Sequence, residues 1–239
     1  MTKILVTGSD SRFGKILKEI RSNQKFIYRN KKQLNILSLS SIRGNLKRFK
    51  PKYILHLAGL SRPMSKHDKD IIKSIDLNII GTANITKACK KYNIKLVYFS
   101  THYVYPGKKG NYSEEDPLLP INNYSWSKLG GEASVQLYKN SLILRVCMTE
   151  KPFIHREAFT NVKTSFIYQD DVAELLSKLL REKGIINLGG KTQFIYDFAK
   201  KSNKYVRKKI LKKNSNLGIP FNASLNISKL KKILQKNNK

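Results

Sequence analysis

A tyrosine and a lysine four residues apart, Tyr124 and Lys128, are the first candidates for chemistry in this sequence. On a helix, positions i and i+4 share one face, so the Lys128 ammonium can lie close to the Tyr124 phenol. A nearby positive charge lowers the tyrosine pKa from its usual value of about 10 toward the working pH. The pair predicts a tyrosine that exchanges a proton with a substrate oxygen. The spacing is common on helix surfaces, so this interpretation depends on the surrounding sequence.

The first supporting feature is the run Phe-Ser-Thr-His-Tyr-Val-Tyr that contains Thr101. It ends a segment predicted to be a parallel strand, and catalytic groups in open α/β sheets gather beyond the carboxyl ends of the strands. A hydroxyl at Thr101 can hydrogen-bond a substrate carbonyl and share its proton with Tyr124. Thr101, Tyr124 and Lys128 are thus the predicted catalytic residues, acting on a carbonyl whose carbon receives hydride.

The second supporting feature is the motif Thr-Gly-Ser-Asp-Ser-Arg-Phe-Gly, which follows the first predicted strand. A dinucleotide-binding turn belongs at this position, although an ordinary strand-to-helix turn also fits. Gly8 permits the tight turn, Gly14 permits close packing of helix and strand, and Ser11 is a small replacement for the usual middle glycine. Backbone N–H groups at the helix N-terminus are expected to hold the pyrophosphate, which adds Arg12 and Phe13 to the predicted contacts.

The residues after the second predicted strand discriminate between NAD and NADP. An NAD-binding protein places Asp or Glu there to hold the ribose 2′-hydroxyl. Here the stretch is Tyr-Arg-Asn-Lys-Lys, with no acid. Arg29 can pair with a 2′-phosphate, and Arg12 can face the same group from the loop. The sequence therefore predicts NADP(H) in preference to NAD(H).

Together these segments resemble the extended short-chain dehydrogenase/reductase superfamily. The loop, a His-Leu-Ala-Gly run, the Ser-Thr-His-Tyr-Val-Tyr run and the Tyr-Ser-Trp-Ser-Lys-Leu-Gly-Gly-Glu helix occur in the order and at the spacing of that superfamily. Within it, the chain is most similar to dTDP-4-dehydrorhamnose reductases and related nucleotide-sugar reductases. The resemblance implies NADPH-dependent reduction of a keto group on a nucleotide-linked sugar, with Ala58, Gly59 and Asn78 beside the cofactor.

Two departures from the family pattern concern the substrate. His102 replaces the aspartate that usually follows the catalytic threonine, and the segment between Arg145 and Asp171 is short. His102 is interpreted either as an extra acid or base, because histidine titrates near neutrality, or as a solvated residue at a loop edge. The residues expected to contact substrate are His102, Tyr103, Asn123 and Arg156.

Other functions within the family stay open. An epimerase usually retains NAD tightly, which the missing acid after the second strand disfavours. A 4,6-dehydratase is not expected, because it would carry Asp-Glu where this chain has His102 and Tyr103. A non-catalytic NADP-binding regulatory subunit is a further alternative, although such relatives usually lose the tyrosine or the lysine.

Short apolar runs alternate with helical patterns in the first half of the chain, which is typical of βαβ units. We predict an α/β fold, a Rossmann-like doubly wound parallel sheet with a small, trimmed C-terminal substrate lobe. The expected NADP-binding domain covers residues 1–145. The lobe covers 146–239 and is interleaved with the last sheet elements at about 165–190. Trp126, Leu129, Ala133 and Leu137 recur at helical spacing and predict a helix over Tyr124–Tyr138.

The composition is strongly basic: 47 Lys and Arg against 16 Asp and Glu give a formal net charge of +31. Such charge can indicate nucleic-acid binding, but the lysines are spread along the chain and no nucleic-acid-binding motif accompanies them. Nucleic acid is therefore not the expected partner, whereas anionic cofactors and nucleotide sugars are favoured.

Location and assembly are predicted from smaller signals. The two cysteines, Cys89 and Cys147, lie far apart and match no metal spacing, so neither a disulfide framework nor a metal site is expected. The short N-terminal apolar run is no signal peptide and no segment is predicted to enter a membrane, which favours the cytoplasm. The resemblance implies a possible homodimer that pairs through the helix carrying Tyr124 and Lys128.

Overall fold

The computed structural model describes residues 1–213, 215 and 217–236. Its strands are β1 (Lys3–Thr7), β2 (Lys25–Arg29), β3 (Tyr53–His56), β4 (Lys95–Thr101), β5 (Ser141–Val146), β6 (Met148–Thr149), β7 (Glu157–Phe159), β8 (Lys163–Thr164), β9 (Ile167–Tyr168), β10 (Gly184–Leu188), β11 (Gln193–Phe194) and β12 (Arg207–Lys209). Its α-helices are α1 (Arg12–Glu19), α2 (Leu39–Phe49), α3 (Lys66–Lys69), α4 (Ile71–Ile75), α5 (Gly81–Lys91), α6 (Asn123–Gln136), α7 (Gln169–Leu179), α8 (Ile195–Lys200) and α9 (Ser228–Lys236). A π-helical turn, Asp76–Ile80, joins α4 to α5, and a 3₁₀ turn, His102–Val104, follows β4.

Six strands form the central sheet, in the order β10-β5-β4-β3-β1-β2. The strands β1, β2, β3 and β4 pair in parallel. Every residue of β3 and β4 is buried, as expected where helices cover both faces of a parallel sheet. The predicted α/β, Rossmann-like doubly wound fold is confirmed. The strand order reverses between β1 and β3, and ligands bind beside such a switch point in open α/β sheets.

The chain divides into two compact units. The first comprises residues 1–100, 123–144 and 179–185, and the second comprises 101–122, 145–178 and the residues from 186 onward. The boundary after residue 145 and the interleaving at about 165–190 remain a prediction of domain organisation. The core of the first unit includes Leu5, Ile54, Leu96 and Ile143 from the strands and Ile42, Ile85 and Val135 from the helices.

The predicted α6 helix is present, but its apolar spacing does not mark the buried face. Trp126 is 50% exposed and Leu137 is 88% exposed, and Ala133 is also exposed. The buried residues are small or polar: Ser125, Ser127, Gly131, Glu132 and Val135. The physical reason is close packing, because α6 lies against the π turn and α5, where only small side chains fit.

The second unit has its own apolar core. Phe153, Ala158, Val162, Ile195, Ala199, Val206 and Leu211 are buried together. Three two-stranded sheets, β11-β8, β12-β7 and β6-β9, connect its segments. A buried arginine, Arg145, donates to the Tyr105 hydroxyl at 2.8 Å and to the Glu114 carbonyl at 3.0 Å, so it has a structural role within this unit.

Candidate active site

The loop between β1 and α1 is shaped for close backbone contact. Gly8 has φ +66°, and a Cβ there would lie 2.6 Å from the Cα and the nitrogen of Ala58. At Gly14 a Cβ would lie 2.6 Å from the carbonyl oxygen of Ser9. Both positions therefore require glycine, and the loop packs directly on the chain after β3. This is the backbone arrangement that a pyrophosphate needs at a helix N-terminus.

Ser11 has a role that the sequence interpretation missed. It is the N-cap of α1, and its hydroxyl oxygen accepts a hydrogen bond from the Gly14 N–H at 3.1 Å. Serine is a preferred N-cap residue, so the departure from glycine stabilises the helix start. The Arg12 side chain is exposed, whereas the Phe13 side chain is buried at 5.1 Å from the Phe99 ring. Any ligand contact of Phe13 is therefore a contact of its backbone.

Arg29 ends β2 and lies on an aromatic ring. Its guanidinium carbon is 4.2 Å from the Phe49 ring centroid. Its Nε is buried and, among the described residues, has no hydrogen-bond partner. Stacking on the ring holds the planar guanidinium in one orientation, so its N–H donors are arranged in advance to bind a phosphate group in a bidentate manner.

Asn78, in the π turn, connects the chain after β3 to α6. Its Oδ1 accepts from the Leu60 N–H at 2.7 Å, and its Nδ2 donates to the Leu60 carbonyl at 2.9 Å and to the Ser127 hydroxyl at 2.8 Å. A Cβ on Gly59 would lie 2.7 Å from the Asn78 Oδ1. The hydrogen bonds of the Asn78 side chain are thus all made to the protein, and they hold α6 against the chain after β3. π turns often occur at functional sites.

Tyr124 and Lys128 both lie on α6, as the spacing predicts. The Tyr124 ring meets the buried His67 ring edge to face, with centroids 5.2 Å apart. The Lys128 ammonium lies over the ring of Tyr98 in β4, 4.2 Å from its centroid. Burial lowers the pKa of Lys128 from 10.5 to about 7, and the charge of Glu132 opposes this shift. The lysine therefore titrates in the physiological range.

Glu132 was not among the predicted site residues, but it lies on the same helix face. It lies one turn beyond Lys128, is 0% exposed, and accepts a hydrogen bond from the Ser100 hydroxyl at 2.5 Å. Two turns of one helix face thus carry a phenol, an ammonium and a buried carboxylate. The i, i+4, i+8 spacing of these three residues could have indicated the arrangement.

Thr101, His102 and Tyr103 belong to the second unit. Thr101 is buried, and its hydroxyl oxygen accepts from the Tyr103 N–H at 3.3 Å. The His102 Nδ1 lies 3.2 Å from the Val146 carbonyl, so Nδ1 carries the proton and donates it. Burial lowers the pKa of His102 to about 4, against that hydrogen bond. The ring is therefore neutral at physiological pH and is not a cationic acid.

The remaining predicted contacts, Asn123 and Arg156, belong to different units. Asn123 is exposed and donates to the Asp68 carboxylate at 2.9 Å in the first unit. Arg156 is exposed in the second unit. In the first unit, the dinucleotide loop packs against Ala58. Gly59 packs against Asn78, whose side chain hydrogen-bonds to Ser127 on α6. Within the described ranges, no group of three or more His, Cys, Asp or Glu side chains could hold a metal ion.

Comparison with known proteins places these features in one family. The family model "RmlD substrate binding domain" matches residues 1–149. The spore coat polysaccharide biosynthesis protein SpsK of Bacillus subtilis is 30% identical over 149 residues, which cover 61% of this chain and 52% of that protein. The β subunit of methionine adenosyltransferase 2 from Xenopus laevis is 29% identical over 154 residues, 60% of this chain and 46% of that protein. The chain thus spans about half the length of the curated relatives it matches.

Solved structures share the fold over nearly the whole chain. The dTDP-4-dehydrorhamnose reductase of Bacillus anthracis, solved in complex with NADP, superposes with a TM-score of 0.83 at 23% identity, covering 97% of this chain and 91% of that one. An orthologue from Clostridium acetobutylicum gives a TM-score of 0.84 at 19% identity, covering 99% and 93%. Among the described residues, no helix has both the length and the apolar character that crossing a membrane requires.

Proposed function

Because the chain belongs to the RmlD substrate-binding family, we propose that it is an NADPH-dependent reductase of a keto group on a nucleotide-linked sugar. One observation carries the proposal: a dinucleotide loop packed on Ala58 and an α6 helix bearing Tyr124 and Lys128 occur in the same compact unit. Neither feature is specific alone. Together they bring a nucleotide-binding turn and a proton donor into one fold.

The residues of this chain fit NADP. Gly8 and Gly14 let the loop pack closely on Ala58 and Ser9, and Ser11, Arg12 and Phe13 at the helix N-terminus are the proposed contacts of the pyrophosphate. Ala58, Gly59 and Asn78 are the proposed contacts beside them. Arg29 offers a guanidinium that, within the described chain, pairs with no carboxylate, and no acid follows β2 to hold a ribose 2′-hydroxyl. The bound cofactor would supply hydride to the substrate carbon.

The proton that completes the reduction comes from Tyr124, which donates its phenolic hydrogen to the carbonyl oxygen. Lys128 binds the ribose beside the nicotinamide and favours the phenolate that Tyr124 leaves. Thr101 orients the carbonyl through a hydrogen bond. His102, Tyr103, Asn123 and Arg156 are the proposed substrate contacts. Because the His102 Nδ1 donates to a protein carbonyl, its Nε2 acts there as an acceptor for a substrate hydroxyl.

A non-catalytic NADP-binding subunit is the second candidate function. The specific observation in its favour is the similarity to the β subunits of methionine adenosyltransferase 2. The presence of Thr101, Tyr124 and Lys128 favours the reductase, because a binding module needs no proton donor. Nucleotide-sugar epimerisation remains an alternative outcome of the same site chemistry.

We further propose that the protein acts in the cytoplasm and forms a homodimer. Both cysteines are free and buried, as suits a reducing compartment. Trp126 on α6 and Leu137 just after this helix are exposed, and Ile71 and Ile72 on α4 are 54% and 75% exposed, so this part of the first unit offers an apolar surface for a second copy. Light scattering of the wild type and of Ile72→Lys tests the dimer: the variant should be monomeric.

The reductase proposal is tested by NADPH consumption. Wild-type protein should consume NADPH in proportion to added dTDP-linked 4-keto sugar, and Tyr124→Phe should lose at least about 100-fold in rate, the upper part of the range for general acid catalysis. Tyr138→Phe, which removes a buried hydroxyl elsewhere in the same unit, should keep the rate. Tight NADPH binding without consumption, for every keto sugar tried, would favour the regulatory subunit.

A further inference from the structure

Buried polar side chains lie between the dinucleotide loop and the helix that carries Lys128. The Thr7 hydroxyl oxygen accepts from the Ala58 N–H at 3.2 Å and lies 2.8 Å from the His56 Nδ1. The His56 Nε2 lies 3.2 Å from the Thr82 hydroxyl. A Cβ on Gly131 would lie 3.2 Å from that hydroxyl oxygen and 2.7 Å from the Tyr98 hydroxyl oxygen, so both hydroxyls face the same point of α6. Tyr98 in turn donates to the carbonyl of Lys128 at 3.1 Å. The four side chains from Thr7 to Tyr98 are each at most 1% exposed.

The histidine among these side chains carries a single ring proton. Burial, with a smaller effect from the Lys128 charge, lowers the pKa of His56 to about 3, so its ring is neutral and has one N–H. One ring nitrogen therefore donates a hydrogen bond and the other accepts one, between the hydroxyls of Thr7 and Thr82.

Tyr98 contacts Lys128 at two places. Its hydroxyl holds the backbone carbonyl of Lys128, and its ring face lies 4.2 Å from the ammonium. The hydroxyl end of the ring is closely packed, because a Cβ on Gly131 would lie 2.7 Å from the Tyr98 hydroxyl oxygen. A rigid aromatic ring below an enclosed ammonium attracts it through the ring quadrupole.

We propose that Tyr98 is a positioning residue for Lys128, which holds the ammonium against its ring face. The inference rests on the proposed function only for the role of Lys128 in turnover. The contacts on which it depends lie in the first unit and involve no ligand.

Other charged and titratable groups also face Lys128, and the test must separate their effect on its pKa from that of the Tyr98 ring. Glu132, on the same helix, favours the charged lysine. Lys128 in turn disfavours protonation of His56 in β3 and of His67 in α3. Tyr124 lies on the same face of α6. A substitution at Tyr98 leaves all four in place, so a changed Lys128 titration reports on the ring.

The experiment is a ¹³C NMR titration of protein made with labelled lysine, with the Lys128 signal assigned by its absence in Lys128→Arg. Three variants are compared with wild type: Tyr98→Phe, Tyr98→pentafluorophenylalanine and the control Tyr138→Phe. Tyr138 is likewise buried and donates to the carbonyls of Cys89 and Ile94. Fluorination reverses the ring quadrupole while the ring shape is nearly kept.

The Lys128 midpoint should lie near 7 in wild type, change little in Tyr98→Phe and Tyr138→Phe, and fall by about 0.5 units or more in the fluorinated variant. Tyr98→Leu, which removes the ring, should move it in the same direction if the fluorinated protein does not fold. An unchanged midpoint in the fluorinated or Leu variant overturns the proposal, as does an equal shift in Tyr98→Phe. The titration needs no cofactor, so a wild type that fails to bind NADPH defeats the proposed function and leaves this inference standing.

Discussion

Gly131→Ala tests the close packing that fixes α6. In the middle of α6, a Cβ at this position would lie 2.3 Å from the Asn78 carbonyl oxygen, 2.7 Å from the Tyr98 hydroxyl oxygen and 3.2 Å from the Thr82 hydroxyl oxygen. The first contact is with backbone of the π turn, which no side-chain rotation can relieve. The helix must therefore move away from the turn that carries Asn78.

The magnitude follows from two opposing effects. Alanine is better than glycine in a helix interior by about 1 kcal/mol, whereas overpacking a well-packed core typically costs about 1–3 kcal/mol and occasionally more. A backbone clash belongs at the upper end, so we expect Gly131→Ala to lose a net 1–3 kcal/mol, approximately. For a chain of this length that corresponds to a melting temperature lower by about 3–10 °C.

Gly44→Ala is the matched control. Gly44 also lies inside a helix, α2, but a Cβ there would meet nothing within 4 Å. This variant should gain about 0.5–1 kcal/mol, or about 1–4 °C. Thermal denaturation and urea denaturation of both variants and wild type measure the difference. If Gly131→Ala is as stable as Gly44→Ala, α6 does not pack on the π turn as described.

Three further outcomes are expected. Arg29→Ala should weaken NADPH binding by about 10- to 100-fold, the value of charge-assisted hydrogen bonds, and leave NADH binding unchanged, while Arg43→Ala should change neither in a calorimetric titration. The pKa of His56 is about 6.5 in the unfolded state and about 3 in the folded state. The free energy of unfolding, measured by urea denaturation, should therefore fall as pH falls from 6.5 to 3. It should fall less steeply in His56→Leu. The pKa of Lys128 is about 7 in the folded state and 10.5 in the unfolded state. Between these pH values the unfolded chain binds one more proton, so the free energy of unfolding should rise as pH rises. Lys128→Met should lose part of this rise, and the control Lys139→Met should keep it.

Each of these outcomes can fail in a recognisable way. Equal losses of NADPH and NADH affinity in Arg29→Ala would remove the 2′-phosphate assignment. If the loss of stability below pH 6.5 is the same in His56→Leu as in wild type, the His56 ring has the same pKa in the folded and unfolded states. A rise with pH that persists in full in Lys128→Met would mean that the lysine is not buried in the way described.

Local signals in the sequence were sufficient for much of the fold. Alternation of buried strands with helices predicted the parallel sheet, and Gly8 and Gly14 lie where a tight turn and a close packing contact require them. The helices α2 and α3 were not predicted. Leu39, Ile42, Leu46 and Phe49 recur at helical spacing in α2, a local signal that was overlooked, whereas α3 is only four residues long.

The packing of the site could not be predicted from local patterns. Spacing on α6 indicated a stripe containing Trp126 and Leu137, yet the buried face is the one with Ser127, Gly131 and Glu132. Which stripe is buried depends on how closely the partner segment approaches, and that partner is some fifty residues earlier in the chain, at Asn78. The buried polar side chains Thr7, His56, Thr82 and Tyr98 also come from distant parts of the sequence, so local patterns do not reveal that they lie close together.

Deuteride transfer tests the central claim most directly. NADPH that carries deuterium at the transferable position is incubated with the wild-type protein and a dTDP-linked 4-keto sugar, and the product is analysed by mass spectrometry and NMR. A reductase predicts one deuterium at the former keto carbon, NADPH consumed in equal amount, and no such product with Tyr124→Phe. Substrate returned unlabelled, or isomerised with no net consumption of NADPH, would contradict the assignment.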